Sequence, residues 1–591
     1  MRPLPAALGL ACLCLSLYVW GLGELPFYTK GQPREATVVW EITTHGEWIL
    51  PLRNGHIIPS KPPLFHWLGA LASHLGGGPN ELTIRLPSAL LAVLGVLLTY
   101  YAGVALWGVE AGLLAGIILA TSFEWFRAAT TARVDMTLSV FMVAAVLSFW
   151  SGYRAGRFDW THVLGFYGLA GLASLAKGPV GGVLPGLIVG VFLLLRRDIG
   201  FLRRMHVLSG GLLYLGVAGS WYGLALWQGG EAFFEKQILK ENVLRFISSG
   251  AAGAGHEHPF YYFLPNLFMG MAPWSFFLPP LVYFLYRSRG RWAQHQFLFP
   301  LVWFATVFVF YSASSSKRSV YILPLYPAAA LLLGAWWQAL RRGEVELPRG
   351  FERLIQAAGY ASAVVILIAV VGVLAEAGGL DPFAPIRPLL HPKDRSNLPL
   401  FSGVVASHPL AFGAWLLGVS GAMIGLVVGL RRRAWEAVFG ALAVFTTSLF
   451  LLVNHVIQPT IAAARTYRPF MERVVSQVGP RPLFFYRCFD SGALFYADRR
   501  IPFYAPAATP TEPYYVLAWE KEWQRLGQLD QRDNETAISP DEASPQVRLL
   551  DISRGTGPKG RKRLTLLEVS AAHILPAWTD DEQGRIKRDA M

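Results

Sequence analysis

Charge is scarce in this sequence. Only 15% of its 591 residues are Asp, Glu, Lys or Arg, against about 25% in ordinary soluble domains. With 53% of the residues hydrophobic, that scarcity excludes an ordinary soluble enzyme, because one core cannot hide so much apolar surface. Cysteine is scarcer still, at three. Cys12 and Cys14 share the first apolar run and Cys488 stands far from both, which excludes a disulfide framework and a thiolate metal site. There is no Walker loop and no glycine-rich dinucleotide fingerprint, so no nucleotide cofactor is indicated. Internal repeats and low-complexity tracts are absent as well.

What is present is a series of long apolar runs. A bilayer core takes about 20 apolar residues per helical span. On that measure the candidate spans are 5–22, 86–107, 111–126, 136–152, 160–176, 178–195, 206–228, 260–286, 296–312, 319–340, 355–375, 409–430 and 434–456. The expected fold is therefore an α-helical polytopic membrane protein with about thirteen transmembrane helices. The first run follows Arg2 and could be read as a signal peptide, but the many later spans favour a retained anchor. The 20 Trp and 22 Tyr suit rings that settle at the two membrane interfaces.

Placing the N-terminus in the cytoplasm puts nearly every turn arginine on that side. These are Arg154 and Arg157; Arg196, Arg197, Arg203 and Arg204; Arg287, Arg289 and Arg291; Arg341, Arg342, Arg349 and Arg353; and Arg431, Arg432 and Arg433. Such alternation is the positive-inside pattern. It accounts for much of the net charge of +14 without any nucleic-acid partner. The opposite side then receives 23–85, with interfacial amphipathic helices, and everything after 456. The first 456 residues read as one membrane domain. Residues 457–591 read as a small soluble α/β domain on the outer side, the periplasmic side of a bacterial inner membrane. An amphipathic helix is expected at 466–479, with strands at 482–486, 501–504, 513–518, 547–551 and 563–569.

The outer loops hold the polar residues that membrane insertion alone does not explain. Lys61 precedes Pro62 and Pro63, whose rings fix the backbone and so hold the ammonium in place. Asp135 opens the fourth span, where the helix dipole would stabilise it. It is also a carboxylate at the membrane surface. Lys177 lies in a tight outer turn. A snorkelling lysine is the ordinary explanation, although the positive-inside bias disfavours it there. Lys317 and Arg318 stand outside the same pattern. The loop 229–259 carries Glu235, Lys236, Lys240, Glu241 and Asn242, then His256, Glu257 and His258. Two histidines and a glutamate can bind a divalent metal, but a solvated loop is the commoner reason for that spacing. Cations Lys61, Lys177, Lys317 and Arg318 thus gather at one membrane face with carboxylates Glu35 and Asp135. Phosphate is the natural anion for such a group, and at the mouth of a bilayer it would be a lipid phosphate.

The runs REATVVWEI (34–42), GEWILPLRNG (46–55), SKPPLFHWLGAL (60–71), RLPSAL (85–90), ARVDM (132–136), LAKGPVGGVLPG (175–186), HEHPFYYFLPNL (256–267) and SSSKRSVYILPLYPAAALL (314–332) resemble, in the same order, the bacterial aminoarabinose transferases of lipid A and the related protein O-mannosyltransferases. The resemblance covers residues 20–335. It implies a GT-C fold and transfer of a sugar from a polyprenyl-phosphate donor, on the outer face, to a lipid or protein acceptor. It further implies catalytic or phosphate roles for Asp135, Lys61 and Lys177, and a metal at His256. Where the family usually has an acidic pair this chain has Gly31 and Gln32, which leaves the base open between Glu35 and Asp135. Where the family has an acid before Lys-Pro-Pro, this chain has Ser60. The rival from another class is a transporter of a lipid-linked saccharide. Transporters place functional charges near the bilayer midplane, whereas here they cluster at one face.

Overall fold

The structure is a computed structural model. It describes residues 3–244, 258–288, 296–382, 384, 387–389, 398–401, 403–533, 546–558, 560, 562–571 and 573–577. The chain divides into two compact units, one of residues 1–22, 61–68 and 85–457, the other of residues 23–60, 69–84 and 458–591.

Among the described residues the first unit is mainly helical. Among the described residues, seven helices are long and apolar enough to cross a membrane, or nine if each of two bent pairs is one crossing. They begin with Glu81–Trp107 and Val134–Arg154 and end with Pro409–Arg432 and Trp435–Arg465. Three shorter apolar helices, Pro3–Tyr18, Val180–Arg196 and Leu298–Ala313, fall where spans are expected. The expected span 160–176 appears as Trp160–Val163, a π-helical turn Leu164–Gly168 and the helix Leu169–Lys177.

Two expected spans are not straight. The run 111–126 becomes Val109–Ala120 and Phe123–Ala129, bent by 66°. At the break the Thr121 and Ser122 hydroxyls donate back to the Ile117 and Ile118 carbonyls, and such back-bonding bends helices. The run 260–286 becomes Phe260–Gly270 and Trp274–Arg287, bent by 113°. The core is a continuous apolar cluster that includes buried Trp125, Trp274, Trp303, Trp336 and Trp337. Small residues let backbones close up. A Cβ on Gly103 would lie 2.6 Å from the Gly112 Cα, and one on Gly334 would lie 2.8 Å from the Ala111 carbonyl oxygen.

The second unit contains a four-stranded sheet, β1 (Leu483–Phe485), β2 (Tyr514–Trp519), β3 (Val547–Ile552) and β4 (Leu564–Val569). Its order is β1-β2-β4-β3, with β1 parallel to β2 and the other pairs antiparallel. The expected strand 501–504 is reduced to one bridge between Phe485 and Phe503. The expected amphipathic helix is Arg468–Val478, whose Phe470, Met471, Val474 and Val478 are buried.

The helix Gly31–His45 belongs to this same unit, although the sequence reading attaches its loop to the membrane domain. The physical reason is polar. Glu41, fully buried, accepts from Arg500 Nη2 at 2.7 Å. Trp40 Nε1 donates to Asp498 at 2.6 Å, and Asn54 exchanges two hydrogen bonds with the Ile501 backbone.

Candidate active site: an acid–lysine cluster in the helical unit

Asp135 occupies the first turn of Val134–Arg154, after Arg133 in an extended conformation. It is 8% exposed. A carboxylate so desolvated needs a partner, since the penalty for an unpaired buried ion is several kcal/mol by order of magnitude. That partner is Lys177, whose ammonium donates to the Asp135 carboxylate.

Lys177 ends the helix Leu169–Lys177, and Gly178 follows with φ of 97°. That conformation favours glycine. A Cβ there would also press on the Asn242 side-chain oxygen, which would have to shift. The Lys177 ammonium also sits 4.0 Å from the centroid of the Tyr321 ring, a cation–π contact. Tyr311 packs against Tyr321 with centroids 5.6 Å apart, so two phenols wall this side.

Lys61 lies in the same unit. Its ammonium donates to Glu241 at 2.8 Å, and Lys236 approaches the other oxygen of that carboxylate at 3.9 Å. Glu241 and Lys236 both come from the π-helical segment Phe234–Leu244. Lys61, Lys177 and Arg133 all lie close enough to act on the Asp135 carboxylate through space. Arg318 and Arg127 act in the same way on Arg133. Arg127 is held by Glu124 at 2.9 Å. Among the described residues around Asp135, Glu241 and Glu124 the cations are in excess, which is the electrostatics of an anion site.

Two candidates make other contacts. The Lys317 ammonium donates to the Ser314 carbonyl at 2.5 Å and the His258 carbonyl at 3.1 Å, which braces the turn before Ser319–Leu325. Glu35 belongs to the other unit, where Arg34 holds its carboxylate at 2.8 Å. Arg53 shares that setting. Burial, with Arg34 nearby and Glu35 opposing, pulls its pKa down to about 10. Of the residues singled out in the sequence, Lys177 pairs with Asp135, and Lys61 acts on the same carboxylate through space. The sequence reading does not single out Glu241, Lys236, Arg133 and Tyr321. Arg133 and Tyr321 lie within runs it quotes, but their types alone carry no sign of proximity.

His256 lies outside the described residues. Among the described residues no three His, Cys, Asp or Glu side chains gather closely enough to hold a metal ion.

Residues 60–222 match the family described as dolichyl-phosphate-mannose-protein mannosyltransferase. Two proteins of Aquifex aeolicus (strain VF5), each named as uncharacterized, are 30% and 31% identical over 54% of this chain. The chain spans 61% of the length of the first and 70% of the second. An undecaprenyl phosphate-alpha-4-amino-4-deoxy-L-arabinose arabinosyl transferase 2 of Sodalis glossinidius is 26% identical over 81% of each chain. In fold, the chain is similar to the crystal structure of ArnT from Cupriavidus metallidurans bound to undecaprenyl phosphate. The TM-score is 0.73 at 21% identity, covering 96% of this chain and 99% of that one. In sequence the chain is thus similar to an undecaprenyl phosphate aminoarabinose transferase and, over residues 60–222, to the dolichyl-phosphate-mannose-protein mannosyltransferase family, and it shares the ArnT fold.

Proposed function

We propose that this protein transfers a sugar from a polyprenyl-phosphate donor to a lipid or protein acceptor at the outer face of the bacterial inner membrane. The observation that carries the reading is the buried Asp135–Lys177 pair with Lys61 beside it, in a chain whose relatives include a transferase named for an undecaprenyl-phosphate sugar. An acceptor hydroxyl or amine attacks the anomeric carbon while a carboxylate takes its proton. The bond from that carbon to the phosphate oxygen breaks, and the polyprenyl phosphate leaves with the electron pair. A single displacement of this kind inverts the anomeric configuration. Lys177 and Lys61 stabilise the charge that grows on the leaving phosphate.

Asp135 is the base in this proposal, because it is the buried carboxylate at the centre of the cation-rich cluster. Glu35 is the alternative carboxylate. Arg318 adds to the positive field, and Lys317 holds the turn from which Arg318 projects. A divalent ion bound through His256 would add to charge neutralisation at the phosphate. Chelation that slows transfer would support this role for the metal, and transfer indifferent to chelation would remove it.

The topology proposed with this activity has thirteen crossings, a cytoplasmic N-terminus and the sheet-containing unit in the periplasm. The test of function is transfer in membranes supplied with donor and acceptor, with mass spectrometry of glycolipids and glycoproteins identifying the acceptor. Asp135→Asn is expected to abolish product measured per unit of folded protein, and Glu35→Gln to leave it. Activity retained in Asp135→Asn and lost in Glu35→Gln would reassign the base. Lipid-linked sugar crossing proteoliposomes with no product formed would refute the transferase reading.

A further inference from the structure

The helical unit contains a second feature that the acid–lysine cluster does not use. An apolar slot, partly open to its surroundings, is lined by residues that include Phe277, Ile355, Ala358, Ile366, Ala422 and Leu430. Ser362 is its one polar lining residue, and that hydroxyl is spent on the Ala358 carbonyl at 2.8 Å. The slot thus offers no group to orient a polar ligand, and small-molecule sites usually have several. Its shape is elongated. Ile355 and Ile366 lie on the one helix Arg349–Ala377, and eleven residues at 1.5 Å each span roughly 16 Å. That is about half the hydrocarbon core of a bilayer, the reach of one acyl chain. The two helices that flank it approach closely where a Cβ on Gly359 would lie 2.4 Å from the Leu430 side chain.

One end of the slot is strongly positive. Arg349 and Arg353 precede Ile355 on one helix, and Arg431 and Arg432 follow Leu430 on the next. These ends adjoin, since Arg433 pairs with Glu352 and Gln356 donates to the Leu430 carbonyl. Neighbouring acids are already engaged, with Glu436 and Glu110 held at 2.9 Å by Arg341 and Arg342. Arg349, Arg353, Arg431 and Arg432 are exposed, and none has a carboxylate partner among the described residues.

We infer that the slot and these arginines form a binding site for an anionic glycerophospholipid. One acyl chain fills the slot and the phosphate lies among Arg349, Arg353, Arg431 and Arg432. The positive-inside pattern would place arginines in these turns without any lipid, but it asks for no hydrocarbon slot ending at them. Charge and slot together specify a lipid with a negative headgroup rather than any lipid of the bilayer.

Native mass spectrometry of the full chain in detergent tests this, with phosphatidylglycerol and phosphatidylcholine of identical acyl chains as the probes. Wild-type protein is expected to retain phosphatidylglycerol several-fold better. Arg431→Ala with Arg432→Ala is expected to weaken that retention about fivefold per arginine and to leave phosphatidylcholine unchanged. Ala358→Phe fills the slot and is expected to release both lipids. Ser362→Phe makes the same test from the next turn should the first variant fail to fold. Equal retention of the two lipids by wild-type protein, or undiminished phosphatidylglycerol in both filled variants, would overturn the site. So would displacement of the bound lipid by undecaprenyl phosphate, which would assign the slot to the donor instead.

Discussion

At the scale of single residues, the informative signal in the sequence is charge in the wrong place. Asp135, Lys61 and Lys177 are conspicuous because each is a charge beside an apolar segment that the pattern of arginine turns does not account for. Their mutual proximity is not legible, since three segments far apart in the chain supply them. Glu241 is hidden for the opposite reason, as one charge among many in a polar stretch. Lys317 shows the limit of reading type without direction, because its ammonium turns to backbone carbonyls. The buried pair leads to a prediction. Lys177→Met leaves Asp135 desolvated and unpaired, a loss of roughly 3–5 kcal/mol for a broken buried pair, so both folded yield and transfer should fall. Asp135→Asn combined with Lys177→Met should recover the yield, measured by size-exclusion chromatography in detergent, without recovering transfer. If the double variant is no better folded than the single, the pair is not what holds this region. Glu241→Gln addresses Lys61. Losing the carboxylate that positions its ammonium should raise the KM for donor more than it lowers kcat, and a pure kcat effect would place Glu241 in the chemistry instead.

At the scale of elements, hydropathy locates the helices well because a lipid-facing segment must be apolar and must satisfy its own backbone. It does not locate the breaks. Residues 111–126 read as one span, yet Thr121 and Ser122 end one helix and start another. Nothing in average hydropathy registers two hydroxyls that can bond to the preceding turn. Close packing is partly legible as small residues, since helices in a membrane associate through such surfaces. Which small residues touch is not. Gly103 and Gly112 meet backbone to backbone. Gly112→Leu is therefore expected to separate Glu81–Trp107 from Val109–Ala120 and to lower the thermal unfolding temperature of the detergent-solubilised protein. Gly186→Leu serves as the matched control, because a Cβ there meets nothing within 4 Å. Equal behaviour of the two variants would mean that the close approach contributes nothing to stability.

At the scale of the whole molecule, the chain order is a poor guide to the units. Residues 23–60 and 69–84 group with 458–591 rather than with the helices that follow them. No local pattern announces this, because the joining contacts are polar and far apart in sequence, as Glu41 with Arg500 shows. Arg500→Ala would leave Glu41 buried without its main partner. The unit should then open and be cut faster by protease, while Arg500→Lys should protect it in part.

The alternation of arginine turns carries the remaining argument, about which side each unit faces. Charge in short turns orients a polytopic chain, and an odd number of crossings puts the two ends on opposite sides. Alkaline phosphatase fused after residue 591 should therefore be active and a green fluorescent protein at the same point dark. Fusions ending in the turn 196–205 should show the reverse. A bright fluorescent fusion at the C-terminus would require an even number of crossings. Either one apolar helix would then not span, or one bent pair would re-enter the face it left, and Phe260–Gly270 with Trp274–Arg287 is the first to suspect because its bend of 113° turns the chain past perpendicular.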